Sequence, residues 1–187
     1  MQYQQVYQFL MPKLENELPD YLSYHNAAHT QSVIAAAEYL GTMEKISEEE
    51  MTLLKTAALF HDAGFLQQAD GHEEISCIWA REHLPAYGYA SNQIEAICRI
   101  IMATRLPQTP VDLLGQIICD ADLFYIGKEG YTANAEKLHQ EFKHRGFVKT
   151  EEEWQLMQVE FLAKHHFFTA TAIKELEPTK QLILQEL

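Results

Sequence analysis

The chain has 187 residues, a length that suits one domain with a substantial hydrophobic core. Its formal net charge of −13 argues against general nucleic-acid binding, which depends on basic patches. No apolar run approaches the roughly 20 residues that cross a bilayer, and the first five residues lack the basic start of a signal peptide. We therefore expect a cytoplasmic protein without a membrane span, in which Cys77, Cys98 and Cys119 are buried free thiols.

Helical periodicity runs through almost the whole chain, and no alternating run with hairpin signals is present. The pattern predicts an all-α fold in which residues 1–187 form a single domain. The predicted helices cover approximately residues 3–18, 26–40, 47–61, 72–84, 91–104, 109–127, 130–145, 150–168 and 170 onward.

Capping residues mark the starts of several predicted helices. They are Asn26, Ser47, Ser91, Thr109 and Thr150. Glycine favours helix ends, so Gly41 and Gly127 are predicted to close two of the helices. Proline removes a backbone donor, so Pro178 is predicted to interrupt the last one.

Two imidazoles and two carboxylates occur in apolar, helical surroundings. The pair His61-Asp62 ends an apolar run, His29 lies upstream, and Asp122 lies inside the run 117–123. An ionised carboxylate among apolar neighbours is costly unless something pairs with it, and a divalent cation is one such partner. The mixed nitrogen and oxygen set suits Mn, Fe, Zn, Co or Ni better than a calcium cage.

Positive charge is scarce in this acidic chain, so its placement is informative. Arg105 lies at a predicted helix end, Lys128 follows the helix of Asp122, and Arg145 belongs to a basic stretch over residues 137–149. These three side chains are candidates for binding an anionic substrate by charge-assisted hydrogen bonds.

The order His29, His61-Asp62 and Asp122 resembles the H…HD…D signature of the HD-domain metal-dependent phosphohydrolases, and in particular the small stand-alone bacterial members. Four flanking segments strengthen the resemblance, which spans about residues 20–127. They are Tyr24–Thr30, Ala57–Phe65, Gly71–Ser76 and Cys119–Leu123.

The resemblance implies an HD-domain helical bundle, with residues 128–187 as a helical part that completes it. It also implies that one divalent metal ion (Mn, Fe, Zn, Mg, Co or Ni) is held by four ligands, with two ions as the alternative. The implied ligands are His29, His61, Asp62 and Asp122.

The resemblance suggests catalytic roles for three further residues. His25 is similar in position to a general acid that protonates the leaving oxygen. His72 would bind a second ion, orient a phosphate, act as acid or base, or only cap its helix, and Glu73 would position the attacking water. Asp120, two residues before Asp122, cannot face the same point and is expected to orient a ligand histidine or to pair with a basic side chain.

The implied reaction is hydrolysis of a phosphoester or phosphoanhydride bond by attack of metal-bound hydroxide, with a nucleotide as the favoured small-molecule substrate. Two alternatives remain open. One is a di-iron oxygenase on the same fold that uses His72 and His83 as extra ligands, and the other is a non-catalytic module that senses nucleotides. A homodimer is also left open.

Overall fold

The computed structural model describes residues 1–187 and is helical throughout, without a strand. This confirms the predicted all-α class. The nine α-helices are α1 (Tyr3–Asn16), α2 (Ala27–Met43), α3 (Glu48–Phe60), α4 (His72–His83), α5 (Ser91–Ala103), α6 (Leu113–Asp122), α7 (Tyr131–His144), α8 (Glu151–Lys164) and α9 (Ala170–Glu186). Short 3₁₀ helices cover Ala63–Leu66, Leu84–Tyr87 and Phe124–Gly127.

Helix α3 lies at the centre of the bundle and packs against α1, α2, α5 and α6. Its second half, from Leu54 to Phe60, is almost completely enclosed because it is apolar on nearly every side. A helix of this kind is stable only in the interior. The residues that follow Phe60, which are His61 and Asp62, are therefore carried into the protein rather than to its surface.

Three of the predicted helix starts are confirmed. The Asn26 side chain accepts hydrogen bonds from the backbone N–H groups of Ala28 and His29 at the start of α2. Ser47 forms the predicted capping box with Glu50 at the start of α3. Thr150 caps α8 by accepting the N–H of Glu153. The first of these caps fixes the turn that carries His29.

Several predicted boundaries are wrong. Helix α6 begins at Leu113 rather than after Thr109, because Asp112 is the N-cap and accepts the N–H of Gly115. Ser91 is the first residue of α5 instead of its cap. Gly41 lies inside α2, where a Cβ atom would come within 2.8 Å of the Met51 side chain, and close packing therefore explains this glycine.

The end of the chain also differs from the prediction. Helix α8 ends at Lys164 rather than near Phe168, and α9 continues through Pro178 to Glu186. Helix α9 packs on the 3₁₀ helix Phe124–Gly127, where a Cβ atom at Gly127 would lie 2.4 Å from that of Leu176. The C-terminal helices therefore rest directly on the segment that follows Asp122.

Asp120 does not orient a ligand histidine and does not pair with a base, contrary to the expectation. Its carboxylate is fully buried and accepts the N–H groups of Phe168 and Thr169 and the hydroxyl of Thr169, at 2.7–2.9 Å. These bonds satisfy the start of α9 and tie it to α6. Burial raises the pKa of this carboxyl group.

All three cysteines are buried and unbridged, as predicted. None of the helices combines the length and the apolarity that a membrane crossing requires.

Replacement of Asp120 by alanine is expected to lower the free energy of unfolding by about 2–4 kcal/mol, because three buried donors lose their acceptor. Urea denaturation of the variant, followed by circular dichroism, measures this loss. Asp20→Ala, at an exposed position, is the control and should change stability by less than about 0.5 kcal/mol. Equal stability of the two variants would contradict the role assigned to Asp120.

Candidate metal centre and active site

Three helix ends converge on one buried point. His29 lies in the first turn of α2, His61 and Asp62 follow the last residue of α3, and Asp122 is the last residue of α6. The side chains of His29, His61 and Asp62 are less than a tenth exposed, and that of Asp122 is 19% exposed. We call these four residues the buried cluster.

The side-chain atoms of the buried cluster are close together. Nε2 of His29 lies 3.0 Å from Oδ1 of Asp122, 3.3 Å from Nε2 of His61 and 3.5 Å from Oδ2 of Asp62. Nε2 of His61 lies 3.2 Å from Oδ2 of Asp62 and 3.5 Å from Oδ1 of Asp122. Four polar atoms from three separate parts of the chain are therefore close neighbours, and those of His29, His61 and Asp122 all lie within 4.8 Å of one another.

The cluster fits a divalent metal ion. Nitrogen and oxygen ligands lie about 2.0–2.2 Å from such an ion, which places them roughly 3.0–3.5 Å from one another. The separations between each histidine nitrogen and the other ligand atoms, 3.0–3.5 Å, fall in this range, and the ligand atoms of His29, His61 and Asp122 all lie within 4.8 Å of one another. In addition, Oδ2 of Asp62 is buried and accepts no hydrogen bond, which is costly for a carboxylate unless a cation pairs with it.

The orientation of His61 supports the same fit. Its Nδ1 lies 2.8 Å from the carbonyl oxygen of Ala58. Because a carbonyl only accepts, Nδ1 carries the proton, and in the neutral ring Nε2 presents its lone pair to the cluster. A backbone bond of this kind is a common way to fix the tautomer of a metal-binding histidine.

The charges of the cluster act strongly on one another. Burial lowers the pKa of His61, but the negative charge of Asp62 and the hydrogen bond to Asp122 hold it well above its usual value. Burial raises the pKa of Asp62, but the positive charge of His61 holds it well below its usual range. The two carboxylates therefore require positive charge beside them, either from protonated imidazoles or from a cation.

A close approach of α4 fixes the turn after His61 and Asp62. The hydroxyl of Ser76 accepts the N–H of Gly64 and donates to the carbonyl of His61, each at 2.8 Å. A Cβ atom on Gly64 would lie 2.0 Å from the carbonyl oxygen of His72. Gly64 is therefore needed for this contact and does not adopt a positive φ.

His25 is held by a residue that the sequence analysis missed. Its Nδ1 donates to Oε1 of Glu141 at 2.6 Å, and Oε2 of Glu141 accepts the N–H groups of Tyr24 and His25. Glu141 lies on α7 and is completely buried. Because Nδ1 is occupied, Nε2 is the ring nitrogen of His25 that remains for a ligand.

Phe65, which was also missed, lies between two candidate catalytic histidines. Its ring stacks on that of His25 at 5.0 Å and on that of His72 at 4.1 Å, both at an angle of 23°. The Nδ1 of His72 donates to the carbonyl of Ala69, and its Nε2 lies 3.4 Å from Oδ1 of Asp62. Oε1 of Glu73 lies 3.6 Å from the same nitrogen. The structure thus brings His25, His72 and Glu73 beside the buried cluster.

A cavity of about 540 Å³ opens next to the cluster. Asp62, Asp122, His25, His72 and Glu73 contribute to its lining, and α7 and α8 form a mostly apolar wall. We call it the apolar cavity. Its volume lies within the range of about 300–1,000 Å³ that is usual for small-molecule sites.

The three candidate substrate-binding residues do not converge. Arg105 and Arg145 line the apolar cavity, where they form ion pairs with Glu74 and Asp70 respectively. Lys128 instead lines a smaller cavity of about 260 Å³ and lies over the ring of Phe124. His29 and Asp122 also border this smaller cavity, so Lys128 approaches the cluster from another side.

His83 lies far from the cluster. It is at the opposite end of α4 from His72, and 11 residues of helix span about 16 Å. Its ring packs against Phe9 and Trp79. The geometry therefore removes His83 from the extra ligands that the oxygenase alternative requires.

The family model described as HD domain matches residues 26–125, which are 100 of the 187 residues. The chain belongs to the HD domain family, as the signature predicted. A search of curated protein sequences finds no match.

Two solved structures show the same fold. One is that of a predicted HD superfamily hydrolase from an uncultured Thermotogales bacterium, with 22% identity, a TM-score of 0.66, and coverage of 96% of this chain and 87% of that one. The other is that of Bacillus subtilis YpgQ in complex with ADP, with 18% identity, a TM-score of 0.69, and coverage of 100% of this chain and 93% of that one.

Addition of Mn²⁺ or Zn²⁺ is expected to raise the melting temperature of the protein by about 5–10 °C at a hundred times the dissociation constant, since binding to the folded state stabilises it. Asp122→Asn should lose most of this increase because one charged ligand atom is removed. Differential scanning fluorimetry measures both. Asp20→Asn, at an exposed position, is the control, and an equal increase in the two variants would exclude the buried cluster as the site.

Proposed function

We propose that the protein is a metal-dependent phosphohydrolase that cleaves a phosphoester or phosphoanhydride bond of a nucleotide. The observation that carries this proposal is a pair of imidazole nitrogens that lie 3.0–3.5 Å from each other and from one oxygen of each of two carboxylates, beside a cavity of ligand size. Membership of the HD domain family supports it. The fold is also that of a structure named as an HD superfamily hydrolase and of a structure that contains ADP.

In this proposal His29, His61, Asp62 and Asp122 hold one divalent ion (Mn, Fe, Zn, Mg, Co or Ni). The ion, when bound, supplies acidity to a coordinated water and positive charge to the phosphoryl oxygens. The four ligands come from three helix ends that are fixed by buried packing, so the site is arranged before substrate arrives.

His25 is the proposed general acid. Glu141 accepts a hydrogen bond from Nδ1–H of His25 at 2.6 Å and places a carboxylate beside the ring, while Nε2 remains for the leaving oxygen. The stack on Phe65 limits rotation of the imidazole. The fully buried Glu141 is then a positioning residue, since it acts on the substrate only through His25.

Glu73 and His72 are the residues proposed to lie next to the attacking water molecule. Both line the apolar cavity beside Asp62, and the carboxylate of Glu73 is an acceptor that can orient a water molecule. His72 is fixed through its Nδ1 bond to Ala69, with Nε2 turned toward Asp62. When it is protonated, His72 therefore donates to the carboxylate of Asp62 and contributes positive charge near a phosphate.

Two arginines at the rim of the apolar cavity are the proposed phosphate-binding groups. Arg105 pairs with Glu74 and is about half exposed, and Arg145 pairs with the exposed Asp70. Exposed ion pairs are worth little, so a phosphate group can compete with these carboxylates for the guanidinium groups. Lys128 would bind a phosphate group from the smaller cavity, near Asp122.

Asp62→Ala is expected to lower turnover by about a thousandfold or more, because the ion contributes several kcal/mol to transition-state stabilisation. The assay incubates linear and cyclic nucleotides with Mn²⁺ and separates the products by anion-exchange chromatography. Free phosphate, pyrophosphate with a monophosphate, or an opened ring identifies the bond that is cut. Retained activity in Asp62→Ala would overturn the proposal, and Asp20→Ala is the matched control.

Glu141→Gln is expected to lower kcat by about ten- to a hundredfold with little change in KM, because an amide does not stabilise the protonated ring of His25. The loss should be much smaller for an activated aryl phosphate ester, whose leaving group needs no proton. Steady-state kinetics on both substrates measure the difference. Glu136→Gln, exposed on the same helix, is the control. Equal losses on the two substrates would show that Glu141 acts only on the structure.

A further inference from the structure

The wall of the apolar cavity that is contributed by α7 and α8 differs from the rest of its lining. It is made of large apolar and aromatic side chains, among them Leu138, Phe142, Trp154, Phe161 and Leu162. No residue of these two helices that lines the cavity is charged. A surface of this kind accommodates a neutral planar ring better than a sugar or a phosphate, which need polar partners.

Gln158 is one of two polar residues that α7 and α8 place in this wall, and the other, Tyr131, is its partner. The hydroxyl of Tyr131 donates to Oε1 of Gln158 at 2.8 Å, and both residues are only 8% exposed. This bond fixes the orientation of the amide. Its Nε2 forms no hydrogen bond within the protein, and Gln158 lines the apolar cavity.

Because this nitrogen makes no bond within the protein, a ligand in the cavity can supply its acceptor. Nitrogen of this type donates two hydrogens and accepts none, so it discriminates between ligand edges that carry an oxygen and those that carry an amino group. The aromatic wall and this single donor together describe a site for a heteroaromatic ring with an oxo group.

We propose that the apolar cavity binds the base of the nucleotide substrate and that Gln158 selects bases with an oxo group over their amino counterparts. This inference rests on the proposed function, since the phosphate groups must then reach the buried cluster from the same cavity. Tyr131 is a positioning residue for Gln158.

The test compares matched pairs of substrates, inosine with adenosine triphosphate and uridine with cytidine triphosphate, which differ by an oxo or an amino group on the ring. The wild-type protein should prefer the oxo member by about tenfold in kcat/KM, the equivalent of one hydrogen bond. Gln158→Leu should bring the ratio to within about twofold of one. Gln158→Glu should reverse it, since a carboxylate accepts the amino group.

Gln155→Leu, on the exposed side of the same helix, is the control and should leave the ratio unchanged. Circular dichroism of each variant establishes that it is folded. A wild-type ratio near one, or a ratio that Gln158→Leu leaves unchanged, would overturn the assignment of Gln158.

A second measurement separates this inference from the proposed function. Ligand-observed NMR on the metal-free protein should detect stronger binding of inosine than of adenosine, and Gln158→Leu should remove the difference. If no nucleotide is hydrolysed but this difference is present, the base site stands and the hydrolase proposal fails. If nucleotides are hydrolysed and the difference is absent in both assays, the hydrolase stands and the base site is wrong.

Discussion

The structure depends on one constraint, which is that two carboxylates and two imidazoles must pair with one another in a largely buried site. Asp62 and Asp122 are tolerable there only because His29 and His61 lie within 3.0–3.5 Å of them. The arrangement in turn requires three helices to end at the same point. The apolar α3 reaches the interior, the Asn26 cap sets the first turn of α2, and α4 packs closely over the turn that follows Asp62.

Helical periodicity and capping residues were sufficient for the fold class, because both depend only on neighbouring residues. Carboxylates in apolar runs indicated a site, and the resemblance to the HD signature selected Asp122 rather than Asp120 as an expected ligand. Asp120 shows the limit of this argument. Its neighbours in the sequence are as apolar as those of Asp122. Its partners, however, are backbone groups of Phe168 and Thr169, and no sequence pattern near residue 120 indicates them.

Two of the residues that were missed, Glu141 and Gln158, have partners on other elements of the fold. Glu141 binds His25, which lies 116 residues away in the sequence, and Gln158 of α8 binds Tyr131 of α7. A glutamate at such a position in a helix is usually a solvated surface residue, so the sequence offered no signal for its burial. The wrong start of α6 has another origin, since Thr109 and Asp112 are both good caps and only packing decides between them.

Helix α7 takes part in two tasks that are often assigned to separate parts of an enzyme. Leu138 and Phe142 line the cavity, while Glu141, adjacent to Phe142, holds His25. Any ligand or substitution that displaces this helix by a fraction of an ångström changes the Glu141–His25 bond as well as the shape of the wall. Divergence toward a new substrate by reshaping α7 would therefore also alter the reaction rate.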